Sequence, residues 1–582
     1  MARRQRTVAK RSLVGNPEET LWSMSLVNAM NWRKKFTQES LWNEIDAIYM
    51  HQYGDNIPHF NLVFMLAQTL IPNMVFQAPG IINTPNRPGM VQWASLWDSV
   101  DNWWVDHAEI KDIAQEAVLD AYLHNISTAF IGYDFDNKVE QDMREVAGAV
   151  DRTRATNAAW VDLIPSHRVL YATGTRKLRN CPWVAKFVST PTKVLTGRNL
   201  SNVKASPVPA DIMVHEQALW EFRDKSKYTC FWQIHDAETK KWCWLSTNGK
   251  FIMGWEDDPY QIDGLPCETL ILNKNPLSIW GTSDPTYIMS QHLEGDDVRW
   301  QALKQRRLGV SKFLYDSNCL DEEDVLRLTT SNAPGAIPVN LEGDKSMKDS
   351  VMELTGVANY THLYEAAKNI LNDAQLITGT GPNQMGTFAP GRRSATEANI
   401  VEGVSTSRVG NRRAEVGAFI EGLVNKNNKL CAQNWTQPVV QQVLGYNGAL
   451  YWVEADPKGL EEAGFGVTTQ VNVESLAPVS RERRKQEAAE LLGMLSTMTE
   501  AGVNPMPVLK QFLSQFEWID VRQVLPQMEG QIPMDTFIQE QQAMIAQGGV
   551  GPQAQQNIQG VQSLIQRLPS EAQNTGENNE SE

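Results

Sequence analysis

Cysteine is scarce and scattered in this chain. The six residues, at 181, 230, 243, 267, 319 and 431, form no C-x-x-C pair. That excludes a disulfide framework or a zinc site built on close cysteine spacing, and it fits reduced thiols in a protein assembled in a cytoplasm. Positive charge is also short: 53 Lys and Arg face 68 Asp and Glu, a net charge of −15. A free protein that grips DNA tightly is usually basic, because each neutralised phosphate releases counterions. The balance argues against tight, static binding to nucleic acid and leaves loose passage of a duplex open. The best apolar run, 59–76, is interrupted by Asn61, Gln68, Pro72 and Asn73. It reads as a buried helix followed by an extended segment, not as a membrane span. No apolar core follows the basic residues near the N-terminus, so no signal peptide is read.

Motifs that carry catalysis are missing as well. Gly249-Lys250 is followed by Phe251 and lacks the earlier glycine of a phosphate-binding loop. There is no H-E-x-x-H and no G-x-S-x-G. The nine histidines are spread out without metal-ligand spacing, and each is expected to be a surface or hydrogen-bonded structural residue. The carboxylate pairs Asp257-Asp258 and Asp296-Asp297 are adjacent, so on a helix they point in different directions and read as solvated faces. No catalytic residue, cofactor or metal is assigned, and the chain is not expected to be an enzyme.

What is present is a long, ordinary globular composition with many tryptophans. At 582 residues the chain should hold about three to five modules. Its 19 Trp residues suit cores and subunit interfaces, since indole offers a large packing area with one polar handle. Residues 1–16 carry Arg3, Arg4, Arg6, Lys10 and Arg11, and 1–29 are expected to be a mobile basic arm. Helical periodicity follows at 39–52, 61–70, 88–107 and 110–126. The period then shifts to strands at 129–135, 160–163, 168–172, 183–188, 228–233 and 241–246. The fold class is therefore α+β, mainly helical.

The second half is more regular. Asp284-Pro285 caps and opens a helix that stops at Gly309. A compact, turn-rich stretch, 310–356, contains the acidic helix start Asp321, Glu322, Glu323 and Asp324. A helix over 359–377 repeats Tyr360, Leu363, Tyr364, Ala367, Ile370, Leu371, Ala374 and Ile377 as an interface stripe. The glycine- and proline-rich loop 378–393 ends in Arg392 and Arg393. Ser394, with Glu397 three residues on, caps a helix that runs without proline to about residue 433, roughly 60 Å long. Gly403, Gly410 and Gly417 recur every seven residues on it, which suggests a face where another backbone packs closely. Strand-like pieces at 450–454 and 466–473, a helix at 480–499 and short proline-broken helices complete the folded part. The polar, glutamine-rich end from 546 is expected to be disordered.

The order of these features resembles the portal proteins of tailed bacteriophages, podovirus-like, across about residues 30–545. An N-terminal helical part and a mixed part end in Leu265-Pro266 and an apolar strand. Then come I279-W-G-T-S-D-P-T-Y leading into a helix with Gln291, a small domain between two helices, a glycine-rich loop, and the helix start S394-A-T-E-A. The resemblance implies a ring, typically a dodecamer, with wing, stem, clip and crown regions around a central channel. On this chain it implies a wing at 30–284 and stem helices at 285–309 and 357–377. The clip would be 310–356, the tunnel loop 378–393, the long wing helix with its return strands 394–479, and the crown 480–545. The implied site is the portal vertex of the virion, where double-stranded DNA is packaged by a separate terminase and later ejected. Implied partners are the terminase large subunit, major capsid and scaffolding proteins, and tail adaptor proteins, with no membrane. Arg392, Arg393, Lys304, Arg306 and Arg307 are the DNA-channel candidates. Asp321, Glu322, Glu323 and Asp324 are the clip docking candidates. Arg392 and Arg393 could equally pair with Glu397 or Glu402, and the charges at both helix ends suit the helix dipole whatever the function. The alternatives are another head–tail adaptor or a nucleic-acid-processing enzyme.

Overall fold

The computed structural model describes residues 16–52, 59–87, 89–133, 159–197, 200, 203–309, 312–315, 320–323, 326–327, 339–340, 351–354, 361–380, 395–435, 438–444, 450–464, 466–473 and 527–546. In chain order the elements are α1 (Pro17–Phe36), α2 (Trp42–Tyr49), α3 (Leu62–Met74), β1 (Gly80–Pro85), α4 (Val91–His107), α5 (Ile110–His124), β2 (Ile126–Tyr133), β3 (Ala159–Ile164), β4 (Val169–Tyr171) and β5 (Trp183–Pro191). Next come α6 (Thr192–Thr196), α7 (Ala210–His215), α8 (Gln217–Glu221), β6 (Tyr228–Asp236), β7 (Lys241–Ser246), β8 (Phe251–Asp257), β9 (Cys267–Ile271) and α9 (Asp284–Leu308). The rest are β10 (Lys312–Tyr315), β11 (Val351–Leu354), α10 (Thr361–Thr378), α11 (Ala395–Asn434), β12 (Val439–Leu444), β13 (Leu450–Ala455), α12 (Pro457–Gly464), β14 (Val467–Asn472), β15 (Gln527–Pro533) and α13 (Met534–Ala546). The mixture is α+β, as the sequence implies. It divides into two compact units, one of Met1–Asn43, Leu70–Ser283 and Arg393–Glu582, the other of Glu44–Thr69 and Asp284–Arg392.

The first unit is built on a five-stranded antiparallel sheet in the order β4-β5-β6-β7-β8. Strand alternation sorts its side chains onto two faces. Cys230, Trp232, Ile234, Cys243 and Leu245 meet Leu26 and Ala29 of α1, Ile212 of α7 and Trp220 of α8. Phe231, Trp242 and Trp244 face the other way, onto Leu195, Ile252 and Met253. Residues 17–29, assigned to the arm from their sequence, are thus helical and partly buried; residues 1–15 lie outside the described ones. The helix starts where its chemistry allows: Asn16 Oδ1 accepts from Glu18 N at 3.3 Å, Pro17 sits in the first turn, and Arg33, Lys34 and Lys35 close the last.

A second sheet, β3-β2-β9, has every residue of its central strand β2 buried. Helix α5 enters it through Asn125, at φ +72°, a left-handed conformation that asparagine tolerates. The Asn125 side chain then spans the start of β2 and the end of β9: Oδ1 accepts from Asn273 N at 2.9 Å and Nδ2 donates to Asn273 O at 3.1 Å. A Cβ on Gly281 would strike this amide and come within 2.7 Å of Asn273 O. The glycine of I279-W-G-T-S is therefore required by close approach, beside the fully buried Trp280.

The long helix α11 packs along β9, β2, β14, α5 and α12, burying Val416, Phe419, Ile420, Leu423, Val424 and Leu430 at helical spacing. Strand β1 pairs with β14, antiparallel. Strand β13 lies between β12 and β15, parallel to the latter, so residues 527–533 of the expected crown form the edge of this sheet. The helix expected at 480–499 lies outside the described residues, as does the tail from 547.

The second unit contains α9 and α10, which pack against each other, and the antiparallel pair of β10 and β11 that lies between them in the chain. Helix α9 begins and ends as its Asp-Pro start and Gly309 stop predict, Gly309 N donating to Gln305 O at 2.8 Å. His59 and Phe60 are pinned to it. Asp296 accepts from Phe60 N at 2.6 Å and from His59 Nδ1 at 2.7 Å, and His292 Nδ1 bonds Phe60 O at 3.0 Å. Gly295 gives the Phe60 ring room, since a Cβ there would lie 2.9 Å from Phe60 Cδ1. Asp296 is thus not on a solvated face, and neither is Asp258, which is buried and pairs with His235 Nδ1 at 2.7 Å. Adjacent residues on one element face different surroundings, so a carboxylate doublet need not share one environment. Helix α3 also departs from expectation by continuing through Pro72. The proline forfeits one backbone donor near the helix end, while Val75 N still reaches Ile71 O at 3.0 Å.

Candidate functional site

The residues singled out by the sequence sit mainly on α9, the 310–356 stretch, α10 and α11. Lys304, Arg306 and Arg307 are all exposed in the last two turns of α9. There they oppose the negative end of the helix dipole. Lys304 Nζ lies 4.9 Å from the Trp300 ring centroid, a cation–π contact that lays the stem along the helix. Asp321, Glu322 and Glu323 are exposed at the start of a helical turn, followed by the exposed Leu326; Asp324 lies outside the described residues. Between β10 and β11, Leu314 pairs with Met352 and Tyr315 with Val351, and Leu314, Tyr315 and Met352 are all exposed.

On α10 the expected stripe divides. Leu363, Ile370 and Ala374 are buried, whereas Tyr364 and Ile377 face outward, as does Leu376, which lies outside that stripe. The helix stops at Gly379, φ +74°, whose N–H donates to Gln375 O at 2.8 Å, a glycine-terminated C-cap. Arg392 and Arg393 lie outside the described residues, as does the loop from 381.

The three heptad glycines of α11 differ in surroundings. Gly403 lies where side-chain surroundings are not described. A Cβ on Gly410 would meet nothing within 4 Å, and one on Gly417 would lie 2.9 Å from Val473 Cγ2. A glycine that the heptad spacing does not include, Gly422, has the tighter constraint: a Cβ there would lie 2.6 Å from Glu268 Cδ. Glu268 pairs with Lys426 one turn further on, and Lys426 Nζ also donates to Cys267 O at 2.6 Å. Close approach by a charged side chain of β9 explains this glycine.

Sequence reasoning did not find two buried polar clusters in the first unit. The first centres on Asp101 of α4, fully buried. Its Oδ2 accepts from Asn83 Nδ2 at 2.7 Å and Asn428 Nδ2 at 3.1 Å, while Oδ1 has no hydrogen-bond partner among the described residues. Burial pushes the carboxyl up to about 7, against the two amide hydrogen bonds, and Asp98 adds to the rise.

The second cluster gathers three of the nine histidines, His124, His167 and His215, with Arg33, Glu39, Asp120, Arg168 and Glu216. Arg33 is almost fully buried; Nη2 meets Glu39 Oε1 at 2.8 Å, and Nη1 donates to His167 O at 2.9 Å and Val169 O at 3.1 Å. Its guanidinium also lies over the Trp42 and Trp280 rings, at 5.9 and 5.8 Å. His167 Nε2 lies 3.0 Å from Glu216 Oε1, which Arg168 Nε also contacts, and Trp220 Nε1 donates to Glu216 Oε2 at 2.9 Å. The His167 and His215 rings stack at 4.8 Å and 24°. Burial works against Glu216 ionising, but its bonds from His167 and Arg168 prevail and hold its carboxyl down at about 2. No element carries more than two of these eight residues, so no local spacing announces them. Among the described residues no group of His, Cys, Asp and Glu is arranged to hold a metal, and no helix is long and apolar enough to cross a membrane. Comparison with models of known protein families and with curated proteins finds no match to the chain.

Proposed function

We propose that this chain is the portal subunit of a tailed bacteriophage: copies stand in a ring, about twelve, at one vertex of the virion, and double-stranded DNA passes through the bore. The observation that carries the reading is the order of its second half. Helix α9, an antiparallel strand pair, helix α10, a glycine-rich loop and the 40-residue helix α11 follow one another. That order supplies two neighbouring helices with a small module between them in the chain, then a rod of roughly 60 Å. Force comes from a separate terminase, whose large subunit docks on the module over 310–356; tail adaptors take that place later. Capsid and scaffolding proteins hold the outside of the ring.

The charge balance suits passage. A duplex held by six to ten phosphate contacts would release many counterions and resist sliding, by the usual scale of such contacts. A surface of net charge −15 per chain with a few exposed cations, Lys304, Arg306 and Arg307 among them, touches phosphates briefly and lets go. Electron microscopy of the purified protein at high concentration tests the reading. Closed rings with a bore wide enough for a duplex are expected; particles that stay monomeric would overturn it.

A further inference from the structure

The histidine cluster has a chemistry that a DNA conduit does not require, and its residues join distant parts of the first unit. Arg33 belongs to α1, Glu39 to the turn after it, and Asp120 and His124 to α5. His167 and Arg168 belong to the turn before β4, His215 to α7, and Glu216 to the α7–α8 junction. We propose that these residues form a proton-operated latch, which fastens the end of α1 to α5, α7 and the 166–168 turn and opens on acidification.

The charges explain the direction. With neutral imidazoles, two arginines face three carboxylates, a net −1 from Arg33, Arg168, Glu39, Asp120 and Glu216. Protonating all three histidines turns this to +2 in a buried place. His124 lies against Asp120 at 2.8 Å. Two positive charges on His167 and His215 would repel each other at close range. The two rings stack face to face, His215 Nε2 stands 4.0 Å from Glu39 Oε1, and Glu39 is already held by Arg33. Glu216 has both oxygens committed, to Arg168 and His167 on one side and to Trp220 on the other. Cys230 of β6 also faces the cluster and stays a thiol, pushed up to about 12 by burial and Glu216, and Tyr171 of β4, which feels the Asp120 charge, stays a phenol, pushed well above its ordinary value chiefly by burial. Lys34 and Asp211 pair with each other at 2.8 Å at its outer edge.

Burial pulls the His167 pKa below its ordinary value, with the Arg168 and His124 charges adding to the drop against the pull of Glu216. The folded state therefore binds fewer protons here than the unfolded chain. Stability from the neutral ring is complete above the ordinary histidine pKa and is lost as the pH falls below it.

Hydrogen exchange of the full chain, corrected for the intrinsic pH dependence, tests the latch at about pH 7.5 and about pH 5.5. Peptides over 30–43 and 210–221 should exchange about tenfold faster at the lower pH, while the β5–β7 core keeps its protection. The double variant His167→Gln and His215→Gln keeps amide donors but takes no proton, and it should show less than about a twofold change. An equal gain in the double variant, no gain in the wild type, or a gain spread over the whole chain would each overturn the proposal. If the double variant does not melt cooperatively at neutral pH, His215→Gln alone decides. It should move the opening midpoint down by about half a pH unit or more, and an unmoved midpoint counts against the latch.

Discussion

Asp101 shows how one residue can set a pH dependence. Its carboxyl is raised to about 7 by burial, so the folded state holds a proton that the unfolded chain gives up near pH 4. Its contribution to stability is intact below the unfolded value and fades as the pH rises towards 7. The loss reaches on the order of 4 kcal/mol when the shift of about three units is converted. Asp101→Asn should remove this slope, seen as a gap between variant and wild-type unfolding midpoints that widens from pH 5 to pH 8. A constant gap would refute the assignment. Glycines make a second residue-scale prediction. Gly410→Ala should raise the stability of the unassembled chain by about 0.5–1 kcal/mol, the helix preference of alanine, because nothing lies within 4 Å. Gly422→Ala should lower it by about 1–3 kcal/mol by driving Glu268 off Lys426. Thermal melts of the two variants should move in opposite directions.

Among elements, those whose limits are set by their own residues were legible and those set by partners were not. Helix α9 shows its Asp-Pro start and glycine stop, and α11 its serine–glutamate box and proline-free length, and both run as read to within a residue or so. Strand β1 gave no sign, because its partner β14 lies more than 380 residues away; β15 likewise becomes a strand by joining β13. Helix α1 announced itself in Asn16-Pro17-Glu18-Glu19, a cap that the preceding run of arginines obscured. The two polar clusters were hidden for the same reason as β1: tertiary contact makes them, not spacing. The exposed end of α9 carries its own prediction. Arg306→Glu with Arg307→Glu should leave folding unchanged, since both are solvated, yet lower DNA packaging in an assembly assay about tenfold or more. Packaging at the wild-type level would count against the proposed channel role of these residues.

At the scale of the whole molecule, the charge excess implies weak affinity for duplex DNA. The purified protein should bind duplex DNA no more tightly than about 1 μM at physiological salt, with a shallow dependence of affinity on salt. A steep slope, as for a protein neutralising many phosphates, would point to a gripping protein rather than a conduit.

Strand β15 closes the sheet whose middle strand, β13, buries Tyr451 and Val453, and Phe537 of the following helix stands 5.3 Å from the Tyr451 ring. A protein cut short before Gln527 would lose one of that strand's two neighbours and leave β12 alone beside it. It would present a bare row of amides and carbonyls beside an uncovered aromatic, a template on which further copies could stack without limit. For this chain, trimming the far end to obtain a tidier sample invites precipitation.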